Sequence, residues 1–172
     1  MPEKLGERRM TPVTVYHGST DTVKHPVCNF GRRNLDFGQG FYVTNIRKQA
    51  VSWALQMSDF RKKTPVLNRY ILDRDAVLRE ARCRIFPAYD KDWLEFIVKN
   101  RLGLKISEEF DYIEGGVAND RVIDTVNLYM AGLMDLGTAL RRLSEHQPNN
   151  QMCLRSQTIT DNYLVFDGTE KI

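Results

Sequence analysis

Three polar side chains fall in segments whose composition is that of β-strands. His17 ends VTVYHGS, Tyr42 sits inside GFYVT, and Gln151 opens a late strand in NNQMCLRS. Each alone has an ordinary structural reading: a hydrogen-bonded strand histidine, a packed strand tyrosine, a surface glutamine. As chemistry, they offer an imidazole, a flat π face, and an amide that orients a hydroxyl but is no general base. The stretch LDFGQGFYVTN, Leu35 to Asn45, sets Gly38 and Gly40 directly against an aromatic strand. Two readings fit it: a tight bend that holds a core strand, or a surface on which a flat ligand stacks. Asp120 in GGVANDR stands in a turn that leads into a helix, where a carboxylate can face a pocket. Capping a helix that starts at Arg121 explains it equally well. Arg32, Arg33 and Arg121 are candidate diphosphate ligands, because guanidinium groups bind phosphate bidentately. Arg32 and Arg33 lie in a long loop and read equally as solvated surface. His25 and His146, in a loop and at a helix end, read as structural or exposed.

The elements that must position these residues follow from pattern. Residues 13–19 are β-branched and aromatic and end in a Gly-Ser turn signal. The next stretch has no period, a proline and several turn formers, and predicts a long loop of the kind that is often functional. GFYVT predicts a second strand, and Thr44 or Asn45 a cap for a helix through IRKQAVSWALQMSDFRKK. Ala50, Trp53, Ala54, Met57 and Phe60 form its apolar stripe at spacings of three and four. VLNRYILD (66–73) predicts a strand, and 76–86 is ambiguous between strand and helix. Asp90 predicts the cap of an amphipathic helix, KDWLEFIVKNR, with Trp93, Phe96 and Ile97 inward. FDYIEGG predicts a short strand, and the segment from Asp120 one or two helices broken near Gly132 or Gly137. Residues 149–156 and 162–168 predict closing strands. The pattern is α+β, with a tail over residues 1–10 and a single domain over 11–172.

Composition narrows the classes. The chain has 172 residues, 42% hydrophobic and 27% charged, which suits one soluble domain with one sizeable core. No stretch approaches the roughly 20 apolar residues of a membrane span, and the charged start is no secretory signal. Cys28, Cys83 and Cys153 are too scattered for a zinc site or disulfide framework, which makes a cytoplasmic setting the expectation. A net charge of +3 suits an anionic ligand but does not by itself argue for nucleic acid.

In this order and with these neighbours, YHGS, FGQGFYVT and NNQMCL resemble the His–Tyr–Glu signature of ADP-ribosyltransferases of the poly(ADP-ribose) polymerase and diphtheria-toxin branch. The first two elements match closely. The third departs, since Gln151 stands where that branch has its catalytic glutamate. The chain looks similar to an uncharacterised bacterial subfamily with YHGS, DFGxGFY, a QA..WA helix, an A.DR turn and a glutamine at this place. The resemblance spans roughly residues 13 to 166.

The resemblance implies a split antiparallel β-sheet core with flanking helices, NAD as co-substrate, and no metal. Tyr42 and Trp53 would be the two walls of a nicotinamide pocket. Gly18 and Ser19 would meet the carboxamide side, and Gly38 and Gly40 would let the backbone approach the dinucleotide. His17 would bond the adenosine ribose, Gln151 the nicotinamide ribose, and Arg33 and Arg121 the diphosphate. Asp120 would be a substitute base. If Gln151 merely fills the glutamate's place, Gln151→Glu should preserve or raise turnover. The implied function is NAD-dependent mono-ADP-ribosyl transfer to a protein or nucleic-acid acceptor, in a toxin or defence setting with an antitoxin encoded nearby and no membrane partner. The alternatives are an inactive NAD or ADP-ribose binding module and an NAD glycohydrolase.

Overall fold

A computed structural model of the chain describes residues 11–106, 108–119 and 122–172. The expected tail over residues 1–10 lies outside the described residues, as do Asp120 and Arg121. The architecture is α+β, with two sheets and six helices among the described residues. None of those helices is long and apolar enough to cross a membrane.

The first sheet has β3 (Val66–Leu72) at its centre, with β1 (Val13–Ser19) and β7 (Leu164–Lys171) antiparallel on either side. The two terminal strands therefore meet through β3. The second sheet runs β2 (Phe41–Val43), β6 (Gln151–Leu154), β5 (Tyr112–Gly115), β4 (Cys83–Ile85). Its β4–β5 pair is parallel, so the core is mixed rather than wholly antiparallel as the resemblance implied.

Strand alternation sorts the buried side chains into two cores. Val15, Tyr70 and Leu72 of the first sheet share a core with Phe41, Val43, Tyr112, Met152 and Leu154 of the second. On the other face of the second sheet, Ile113 and Cys153 pack with Trp93, Leu94 and Ile97 of α3 (Lys91–Arg101). Val126 of α4 (Ile123–Met130) and Leu143 of α5 (Leu136–Ser144) complete that layer. Between these two helices the chain breaks at Gly132, whose φ of 72° is left-handed; Gly137 lies inside α5.

Helix α1 (Arg47–Arg61) covers β1 through Ala50 and Ala54. The expected side-chain cap from Thr44 or Asn45 is absent: Ile46 holds the cap position without one. Thr44 Oγ1 instead donates to the Asn150 carbonyl at 2.7 Å and accepts from Ile46 N–H at 3.1 Å, and this fixes the helix start two residues later. Phe60 is exposed and leaves the expected stripe. The ambiguous stretch after β3 divides into α2 (Arg74–Glu80) and β4, while α6 (Gln157–Tyr163) fills the connection from β6 to β7.

Candidate functional site

The two sheets touch at one rung. Tyr16 of β1 and Thr44, just past β2, exchange backbone hydrogen bonds of 2.8 and 2.9 Å. In an antiparallel ladder every second residue points its N–H and C=O to the same side. The next pair would join Gly18 to Tyr42, but the strands separate there. The Tyr42 carbonyl that would have completed this rung is taken by His17 Nδ1 at 2.7 Å. By the same alternation, the Gly18 N–H and C=O face away from β3, toward the gap between the sheets.

A carbonyl only accepts, so His17 Nδ1 carries the proton and Nε2 keeps its lone pair. The half-buried ring lies on Phe41, with centroids 4.4 Å apart. Burial lowers the imidazole pKa, and the bond to the Tyr42 carbonyl offsets this only in part. The ring is therefore a neutral acceptor, suited to a ligand hydroxyl. Gly18 has a second reason to be glycine: a Cβ there would lie 2.0 Å from the Ala50 carbonyl oxygen. Its neighbour Ser19 is buried, with its hydroxyl accepting from Asp21 N–H and directed at Met57 Sδ.

The Tyr42 hydroxyl is held within the glycine-rich bend. It donates to the Gly38 carbonyl at 2.5 Å and accepts from Phe37 N–H at 3.1 Å, which folds the Gly-rich bend back over its own strand. Gly38 sits at a φ of 79°, a left-handed conformation that penalises a Cβ. A Cβ on Gly40 would lie 2.4 Å from Cys153 Sγ. Both glycines thus serve the tight bend, the first of the two readings of LDFGQGFYVTN. Tyr42 lies opposite Cys153, and extending this register by two residues sets Thr44 opposite Gln151. Gln151 in turn pairs with Gly115 of β5. Tyr16, Thr44, Gln151 and Gly115 thus form one row across both sheets, with His17 and Tyr42 beside it.

Gln151 is 3% exposed, so it is a core-edge residue and not a surface glutamine. Its Nε2 faces Asp36 Oδ2 at 3.4 Å and the Gly116 carbonyl at 3.5 Å. Asp36 lies in the glycine-rich run LDFGQG, where pattern alone offers no more than the start of a turn. It is a buried hub: Oδ1 lies 2.6 Å from an Arg101 guanidinium nitrogen, Oδ2 accepts from Ala118 N–H at 3.1 Å, and its carbonyl accepts from Asn100 Nδ2. An acidic residue inside that apolar run is the one sequence signal that could have found it.

Trp53 is half-buried and has no aromatic partner among the described residues. It lies one turn beyond Gln49 on the same stripe of α1, and Gln49 Nε2 donates to the carbonyl of Asn150, the residue before Gln151. That stripe therefore looks toward the start of β6. Gln49 Oε1 is buried and unpartnered among the described residues. Arg32 and Arg33 are exposed on the loop and are not brought to the row. Cavities of about 330 Å³, beside Tyr89 and His146, and about 250 Å³, beside Arg82 and Arg155, contain none of His17, Tyr42, Trp53 or Gln151. Among the described residues no cluster of His, Cys, Asp and Glu forms a metal site.

No curated protein and no solved structure matches the chain. A family model does match, over residues 13–166, the span from the first residue of β1 into β7 that holds every element of this row. The chain thus belongs to the family described as protein of unknown function DUF3990.

Proposed function

We propose that the chain is an NAD-dependent mono-ADP-ribosyltransferase whose site is the split between β1 and β2. The observation that carries this reading is the replacement of one ladder rung by His17, which leaves a hydrogen-bonding edge at Gly18 beside a neutral imidazole. A flat carboxamide matches such an edge, one acceptor and one donor against the Gly18 N–H and C=O. Trp53 supplies a stacking face, worth on the order of 0.5–2 kcal/mol against a pyridinium cation. His17 Nε2 accepts from a ribose hydroxyl, and Gln151 orients the hydroxyls of the ribose that reacts.

In the reaction the bond between the nicotinamide nitrogen and ribose C1′ breaks. The electron pair leaves with nicotinamide, and the positive charge passes from the ring to an oxocarbenium-like ribose. An acceptor heteroatom then bonds C1′ and loses its proton. Binding the ring in a water-poor pocket favours its departure. Gln151 carries no charge and no basic site, so this centre suits single transfers rather than polymer elongation. The acceptor is a protein or a nucleic acid, and the toxin setting with a nearby antitoxin belongs to this same reading.

A second reading, an NAD-binding module without turnover, is favoured by the amide at position 151 and by the ion-paired state of its nearest carboxylate, Asp36. The deciding experiment incubates the purified chain with labelled NAD, with and without a bacterial lysate, beside His17→Ala. Nicotinamide release and labelling of a lysate component, both lost in His17→Ala, are expected. Release without labelling indicates hydrolysis, binding without release indicates the module, and neither binding nor release removes NAD from the reading.

A further inference from the structure

We propose that Asp36 is the carboxylate of this site and a positioning residue for Gln151, holding the amide NH2 inward so that Oε1 is the acceptor presented to the ribose. The ribose half of this statement rests on the NAD reading; the Asp36–Gln151 half stands on geometry alone.

Among the described residues, two groups face the inner end of the Gln151 side chain, Asp36 Oδ2 at 3.4 Å and the Gly116 carbonyl at 3.5 Å. Both accept: one is a backbone carbonyl, the other a carboxylate paired with Arg101. Only the NH2 end of an amide fits between them, so the direction of the amide follows from its neighbours. Contacts of this length orient more than they bind. What fixes Asp36 is stronger: Arg101 Nε donates to Oδ1 at 2.8 Å with the second guanidinium contact at 2.6 Å, and Ala118 N–H donates to Oδ2 at 3.1 Å. The carboxylate is thereby locked to α3 and to the segment after β5 before it meets Gln151.

This geometry reverses the expectation for Gln151→Glu. A glutamate carboxylate would set two acceptors against two acceptors and a second negative charge against Asp36. It would keep its proton to donate across that gap, which raises its pKa. Among the described residues, the other charged or titratable groups facing this centre are Arg101 from α3, Tyr42 from β2, Tyr89 ahead of α3 and Cys153 on β6. Arg101 is already engaged by Asp36. Burial pushes Tyr89 and Cys153 up to about 12 and holds Tyr42 well above the usual phenol range, so all three stay neutral between about pH 5 and pH 9. His17, the remaining titrating group beside the row, is shared with wild type and cancels in the comparison.

The test measures nicotinamide release, the KM for NAD and the thermal midpoint for wild type, Q151E, D36N and D36N/Q151E at about pH 6 and pH 8. At the higher pH, Q151E should lose roughly tenfold or more in kcat with KM little changed, as expected when a buried acceptor is left facing acceptors. The loss should shrink as pH falls and the new carboxyl regains its proton. The double variant should regain rate at the higher pH, because the amide placed at 36 can donate to the carboxylate placed at 151. Q151E as active as wild type at the higher pH, or a double variant no better than the worse single, overturns the proposal. If D36N does not fold, the pH dependence of Q151E decides. If wild type neither binds NAD nor releases nicotinamide, the NAD reading fails. The midpoints then decide the Asp36–Gln151 pairing: a pH-dependent loss in Q151E relieved by D36N supports it, and strictly additive losses overturn it.

Discussion

At Gly18 a Cβ would lie 2.0 Å from the Ala50 carbonyl oxygen and 2.6 Å from the Ala54 amide nitrogen. Both are backbone atoms of α1, so neither can turn aside as a flexible side chain would. Gly18→Ala should therefore push the helix off β1 and cost about 3 kcal/mol, the upper part of the range for overpacking. Gly132→Ala is the matched control. Its φ is 72° but nothing lies within 4 Å of its Cβ position, so it should cost only the left-handed penalty of about 1–2 kcal/mol. Urea unfolding of the two variants separates these causes. A Gly18→Ala loss no larger than that of Gly132→Ala would mean that α1 is not seated against this strand. The comparison also bears on function, since the same glycine turns its N–H and C=O toward the gap between the sheets. A strand edge that is close-packed on one side and open on the other is held rigid for whatever docks there.

At the scale of elements, helix α3 connects a capping residue to the site. Asp90 accepts from Trp93 N–H at 2.9 Å at the start of the helix, and Asn100 and Arg101 at its end hold the carbonyl and carboxylate of Asp36. Asp90→Ala should cost about 1 kcal/mol of global stability, as lost helix caps do, with the midpoint of chemical unfolding as the measure. An unchanged midpoint would show that the cap contributes nothing to α3. This helix was legible in the sequence from its cap to its last residue, because Asp90, Trp93 and Ile97 carry local signals that do not depend on the rest of the fold. β1 and β3 were legible for the same reason. The capping of α1 was misread because Thr44 is claimed by a tertiary bridge to Tyr16 and by Asn150, partners more than 25 residues away in sequence. α6 escaped because seven residues between two strands carry too weak a period to register. The site shows the same division. His17, Tyr42 and Gln151 were singled out as polar residues in apolar strands, and the structure brings them to adjacent rungs. Asp36 and Gln49 gained their meaning only from contacts with Gln151 and Asn150 that sequence spacing cannot show.

At the scale of the whole molecule, two sheets share one backbone rung and then separate around His17. A ligand seated in that split would bond to both sheets, with Gly18 and His17 on one side and the row through Gln151 on the other. It would bind the folded chain and not the unfolded one. NAD at about 100 times its dissociation constant should then stabilise the fold by about 2.7 kcal/mol, visible as a rise in thermal midpoint that grows with NAD concentration. Two variants divide the contributions of Tyr42. Tyr42→Phe keeps the ring and removes a hydroxyl that is spent inside the bend on Gly38 and Phe37. It should lower the midpoint of the free chain while preserving the NAD-induced rise. If the Tyr42 ring is a second stacking face for NAD, Tyr42→Ala should diminish the rise itself. An NAD-induced rise equal to wild type in Tyr42→Ala would take this ring out of the pocket and leave Trp53 as the stacking partner. The absence of any rise in the wild-type chain would mean that the split is a structural junction with another ligand or with none. The open strand edge at Gly18 would then be explained by the packing of α1 alone.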